Sequence, residues 1–158
     1  MDGKYAQAFP DFGPERLGAP VQAFARIDDQ PIEIRSQVYT PNAVAVFEES
    51  LLAKVAVTRG MISNGQLVVN SKDERAGEVV KMGQDVGVEA YVVDADKIAT
   101  ELIGSRTVST VMLGALAGAS GFVSVDSLES SVRERFHGNM GDVNAKMIRM
   151  GFKEVHKI

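Results

Sequence analysis

Apolar and polar residues alternate along Val21 to Asp28, with Val21, Ala23, Ala25 and Ile27 facing one way and Gln22, Phe24, Arg26 and Asp28 the other. The same period returns after the turn cluster Asp28-Asp29-Gln30-Pro31, where Ile32, Ile34, Ser36 and Val38 alternate with Glu33, Arg35, Gln37 and Tyr39. Two such runs around a short polar turn predict an antiparallel hairpin, with Arg26–Glu33 or Asp28–Arg35 pairing across its polar face. The pattern then changes. Ala43–Phe47 is a short continuous apolar run, which suits a strand buried on both faces of a parallel sheet; Gln66–Asn70 predicts a second buried strand and Val88–Val93 a third. Between them, Glu48–Lys54 predicts a short helix. The polar, glycine-bearing stretch 71–87 predicts loop with at most a turn of helix, and residues 1–18 predict a loop anchored by Tyr5, Phe9 and Phe12.

Helical spacing dominates the rest. Asp94-Ala95-Asp96 ends the third buried run and opens a helix through Leu102. A second helix covers Val108–Ala119, with Gly114 and Gly118 four apart on one face and Gly121 as its stop. Small residues at that spacing admit another backbone. Asp126-Ser127-Leu128-Glu129 resembles a capping box ahead of Leu128, Val132 and Phe136 at i, i+4 and i+8. A last helix is expected over Asp142–Val155. Buried strands alternating with helices give an α/β class, a three-layer α/β/α arrangement with a mostly parallel sheet plus an antiparallel hairpin.

At 158 residues the chain fits one domain with a core of its own. With 17 basic and 21 acidic residues and no basic cluster, nucleic-acid binding finds no support. The chain has no Cys, which excludes thiolate-held clusters or zinc, disulfides and thiol nucleophiles within it, and favours a cytoplasmic location. The N-terminus has no apolar core of a signal peptide. The uncharged stretch Thr107–Val125 is diluted by Thr, Ser and Gly, so a buried helix and turn is expected there and no membrane span.

Candidate chemistry is sparse. His137 and His156 lack a neighbouring nucleophile and read as surface residues. Asp94 and Asp96 stand where an α/β sheet places ligands and suit Mg²⁺, but a carboxylate there also caps the following helix, which is the preferred reading. Neither a phosphate loop nor a G-x-G-x-x-G turn is present. Glu15 and Arg16 sit between Gly13-Pro14 and Gly18-Ala19-Pro20, flanks that stiffen the backbone. As a catalytic pair they lack a third reactive group. As a partner-contacting loop they lose little entropy on docking. The residues alone therefore leave two classes open: a subunit of a larger assembly, or a stand-alone α/β protein binding a small ligand near Asp94.

Several segments resemble one family. Gly3–Pro10, Phe12–Val21 and Phe24–Ile27 look like the corresponding run in gamma subunits of pyruvate- and related 2-oxoacid:ferredoxin oxidoreductases. Val93–Ala99, Thr110–Ala115 and Val125–Leu128 resemble later segments of that family in the same order. Leu17 replaces a usual basic residue and Asp96 a usual Thr. Relative to the family pattern, a strand and a G-x-G-G-Q-G loop are expected before Met1, so the chain is read as a single gamma-type domain over 1–158, truncated at its N-terminus. The resemblance implies a non-catalytic subunit of a complex that converts a 2-oxoacid, CoA and oxidised ferredoxin to acyl-CoA, CO2 and reduced ferredoxin. It implies no cofactor, metal or catalytic residue on this chain. Thiamine diphosphate, Mg²⁺ and iron–sulfur clusters are expected on alpha, beta and delta-type partner subunits, with Glu15, Arg16, Gly18, Ala19 and Pro20 as the interface here. Pyruvate is the expected substrate, and a 2-oxoisovalerate-type complex is the alternative.

Overall fold

A computed structural model describes residues 2–11, 20–72 and 76–158. They fall into two compact units, Met1–Thr40 and Pro41–Ile158.

The first unit is built on two antiparallel strands. β1 (Tyr5–Asp11) pairs with β2 (Gln22–Asp28) in a register running from Tyr5 opposite Asp28 to Asp11 opposite Gln22. The period of 2 in 21–28 thus predicts a strand correctly but the pairing differs: the partner is 5–11, where a loop was expected, and not 32–39. Period 2 says that a segment is extended; it does not say which segment it pairs with. Pro10 argues against a strand at 5–11, yet an edge position tolerates a residue without an N–H donor. Residues 32–39 form no strand, and Ser36 and Gln37 within them bond to the ribbon. The Arg26 guanidinium reaches from one face of the ribbon to the carbonyl oxygens of Ser36 (2.6 Å) and Gln37 (3.0 Å), so it meets main chain there and forms no cross-strand pair with Glu33. Asp28 is likewise turned to a local role, accepting from the Gln30 N–H at 2.9 Å. On the same face the Phe9 and Phe24 rings lie 5.5 Å apart, and Arg26 stands 5.8 Å over Phe9.

The second unit is the expected three-layer arrangement. Its sheet has the order β3 (Ala43–Val46), β4 (Gln66–Asn70), β5 (Glu89–Val93), β6 (His156–Lys157). The first three strands are parallel and β6 is antiparallel to β5. Side chains alternate between two cores, as the pleat requires. Leu67, Val69 and Val92 face one layer with Val46 and Val79. Val68 and Val93 face the other, with Ala99, Val111, Met112 and Met147.

The first layer holds α1 (Ala76–Val86), an 11-residue helix where a loop was expected. Its glycines mislead. Gly83 is buried because a Cβ there would lie 3.1 Å from both the Ala90 Cβ and the Val88 oxygen. Glu48–Lys54 shortens to a 3-10 turn over Glu49–Leu51. The second layer holds α2 (Ala95–Ile103), α3 (Ser109–Ser120), α4 (Val125–Arg135) and α5 (Asn139–Glu154). α4 is capped two residues earlier than the capping-box pattern suggests: the Ser124 side chain accepts from the Ser127 N–H, and Asp126 lies inside the helix. α3 and α5 meet backbone to backbone. A Cβ on Gly114 would sit 2.0 Å from the Ile148 oxygen, and one on Gly151 would sit 2.1 Å from the Val111 oxygen. Gly121 ends α3 at φ 66°, the left-handed stop that its position predicts.

Candidate functional site

Parallel strands bring their carboxyl ends to one edge of a sheet, and α/β proteins place ligands there. In the second unit that edge holds a cavity of about 300 Å³, lined by Glu48 and Glu49 after β3, Asn70, Ser71 and Lys72 at the end of β4, and Asp94, Asp96 and Arg106 around α2.

Asn70 ties the strand ends together. It is buried, its amide donates to the Phe47 carbonyl at 3.1 Å, and its side-chain oxygen accepts from the Ala95 N–H at 2.9 Å. Ser71, also buried, donates to Glu49 at 2.7 Å. Asp94 accepts from the Lys97 N–H at 2.9 Å, so it serves as the N-cap of α2. Asp96 is held by both nitrogens of the Arg106 fork at 2.9 and 2.7 Å. The hydrogen bonds from Arg106, more than its charge, keep the Asp96 carboxyl below the usual carboxylate range.

The cavity therefore mixes acids and cations whose hydrogen bonds organise the loops themselves. It contains no His or Cys, and its one hydroxyl–carboxylate contact is that of Ser71 with Glu49. Among the described residues no three His, Cys, Asp or Glu side chains are grouped to hold a metal ion. Sequence reasoning finds Asp94 and its cap but misses Asn70 and Arg106. An Asn at the end of an apolar run reads as a turn former, and its long-range bonds leave no local signal.

Of the expected interface residues, the structure describes Pro20 alone. Pro20 is exposed on the segment leading into β2. Glu15, Arg16, Gly18 and Ala19 lie outside the described residues, in the connection between β1 and β2. His137 and His156 are exposed, as expected, His156 on β6. Among the described residues no helix is long and apolar enough to cross a membrane.

Comparison with known proteins decides what kind of chain this is. The sequence profile of the pyruvate ferredoxin/flavodoxin oxidoreductase family matches residues 1–154, running through both units. The chain belongs to that family. The pyruvate synthase subunit PorC of Methanothermobacter thermautotrophicus is 46% identical over 157 residues, covering 99% of this chain and 83% of that protein. The pyruvate/ketoisovalerate oxidoreductases common subunit gamma of Thermococcus litoralis is 43% identical over 154 residues, 98% of this chain and 83% of its own. Among solved structures of the family, the pyruvate oxidoreductase subunit PORC of Thermotoga maritima superposes with a TM-score of 0.82 at 35% identity, over 98% of this chain and 82% of that one. The Thermotoga maritima subunit shares the fold of this chain, and the family resemblance read from Gly3–Val21 and the later segments stands.

Proposed function

We propose that this chain is the gamma subunit of a pyruvate:ferredoxin oxidoreductase, acting as one gamma-type domain in a complex that turns pyruvate, CoA and oxidised ferredoxin into acetyl-CoA, CO2 and reduced ferredoxin. The observation that carries the reading is similarity along nearly the whole chain to relatives named as pyruvate synthase subunits. The chemistry of the residues agrees. A chain with no Cys supplies no thiolate to an iron–sulfur cluster. Thiamine diphosphate, Mg²⁺ and the clusters then belong to alpha, beta and delta-type subunits, and this chain contributes surface. The complex operates in the cytoplasm.

The test is reconstitution. Co-expressed with those subunits, the chain should co-purify with them and support pyruvate- and CoA-dependent ferredoxin reduction, and alone it should reduce nothing. A lone monomer that binds a metabolite at the sheet edge and ignores the other subunits would overturn the reading. One observation favours a second substrate: relatives at 43% identity are named as a subunit common to pyruvate and ketoisovalerate oxidoreductases. A shared subunit would support 2-oxoisovalerate oxidation too when paired with the corresponding catalytic subunits.

A further inference from the structure

The two faces of the β1–β2 ribbon are built from different residues. One carries Phe9, Phe24 and Arg26, partly covered, with the 36–37 main chain held against it. The other carries three facing pairs: Ala6 with Ile27, Ala8 with Ala25, and Pro10 with Ala23. All six residues are exposed. None is charged, and none can form a side-chain hydrogen bond with water. Ala8, Pro10, Ala23 and Ala25, with the flanking Phe9 and Phe24, line a shallow apolar hollow. A strand pair that leaves one face solvated normally alternates apolar and polar, with the polar set outward. Here the outward set is apolar, and an exposed, contiguous apolar face of this kind marks an interaction surface. Val21, 85% exposed, extends it beyond the start of β2.

We infer that this Ala/Pro face docks against a different subunit of the oxidoreductase complex, one that presents a flat uncharged patch and seats an apolar side chain in the hollow. The inference rests on the reading of the chain as a subunit. Size argues for a different subunit over a second copy. Strands of this length and spacing give a face on the order of 250 Å², well under the roughly 800 Å² per partner of a stable interface. Pairing two ribbons face to face through this patch alone falls short of a stable dimer. A larger partner can cover the patch and continue past Val21 and Pro20. Small side chains suit such a contact, because Ala and Pro lose almost no side-chain entropy when covered.

The experiment places a charge at the centre of the face, Ala25→Glu, with Ala25→Ser as the conservative control, each co-expressed with the other subunits. Both side chains point to solvent in the free chain, so both variants should melt like the parent. Ala25→Glu should weaken retention in the complex at least ten-fold on gel filtration, and Ala25→Ser should assemble normally. Independently of any variant, amide exchange over residues 5–11 and 22–28 of the parent chain should slow on assembly. Full retention of Ala25→Glu with unchanged exchange overturns the inference while leaving the subunit reading intact. A parent chain that never enters the complex overturns both. A parent chain that dimerises alone, with Ala25→Glu restoring the monomer, replaces the heterologous partner with a second copy and overturns the inference.

Discussion

The α/β unit and the ribbon unit dispose of their apolar residues in opposite ways. In the α/β unit, Leu67, Val68, Val69, Val92, Met112 and Ile148 are fully buried, and two helices approach until glycines are required between them. In the ribbon unit, Ala6, Ala8, Pro10, Ala23, Ala25 and Ile27 stay exposed. An isolated two-stranded ribbon is marginal in water, so this one depends on what lies over its faces, whereas the α/β unit has its own two cores. The difference divides the labour: substitutions in the α/β unit should act on stability, and those in the ribbon and its connection on assembly.

Arg16→Ala tests that division most severely. It should leave the melting temperature of the lone chain unchanged and weaken association with the other subunits, by about 2–5 kcal/mol if the guanidinium is buried against a partner charge and by much less if it sits at the rim. Normal retention of the complex on gel filtration would remove Glu15 and Arg16 from the interface. Gly114→Val should act in the reverse sense. Its side chain meets the Ile148 carbonyl, which is main chain and yields little, so a loss of about 3 kcal/mol is expected, the upper end for overpacking a core. Urea denaturation of the lone chain measures it, and an unchanged midpoint would show that α3 and α5 stand further apart.

Asn70→Ala comes next. It leaves the buried Ala95 N–H without its partner, at about 1–3 kcal/mol, and also removes the bond to the carbonyl of the exposed Phe47. If the cavity were a ligand site with the loops held by other means, the melting temperature would hold.

The smallest effect belongs to Asp96. Its folded pKa is lowered, first by the Arg106 hydrogen bonds, so its contribution is complete above the unfolded carboxylate pKa and is lost as pH falls through the folded value. Stability at neutral pH should therefore include this pair, and Asp96→Asn should flatten the acid limb of the stability–pH curve. Arg106 is well exposed, so solvent and salt keep the effect small. An acid limb identical to that of the parent would contradict the assignment.

The sequence makes β3, β4 and β5 legible because strands covered on both faces need apolar residues at successive positions, as in Leu67-Val68-Val69 and Val92-Val93, a demand that leaves few alternatives. Gly114 and Gly118 likewise announce a close helix contact, although Gly151, the reciprocal glycine on α5, carries no periodic signal of its own. α1 is hidden because Gly77, Gly83 and Gly87 look like loop punctuation, while Gly83 is there for packing against Ala90. The ribbon is half legible: alternation identifies β2, but pairing is a long-range choice. The sheet-edge cavity is the least legible part, since Asn70 and Arg106 gain their roles only from residues distant in sequence.

The reciprocal glycine contact between α3 and α5 has a mechanical consequence. A side-chain contact can give way by changing rotamer, and so absorbs a push. Here Gly114 abuts the Ile148 carbonyl and Gly151 abuts that of Val111, and neither glycine has a side chain to turn. The joint acts as a hard stop in compression: a load on one helix passes to the other with no soft element between them, and the pair moves as a single stiff strut behind the sheet.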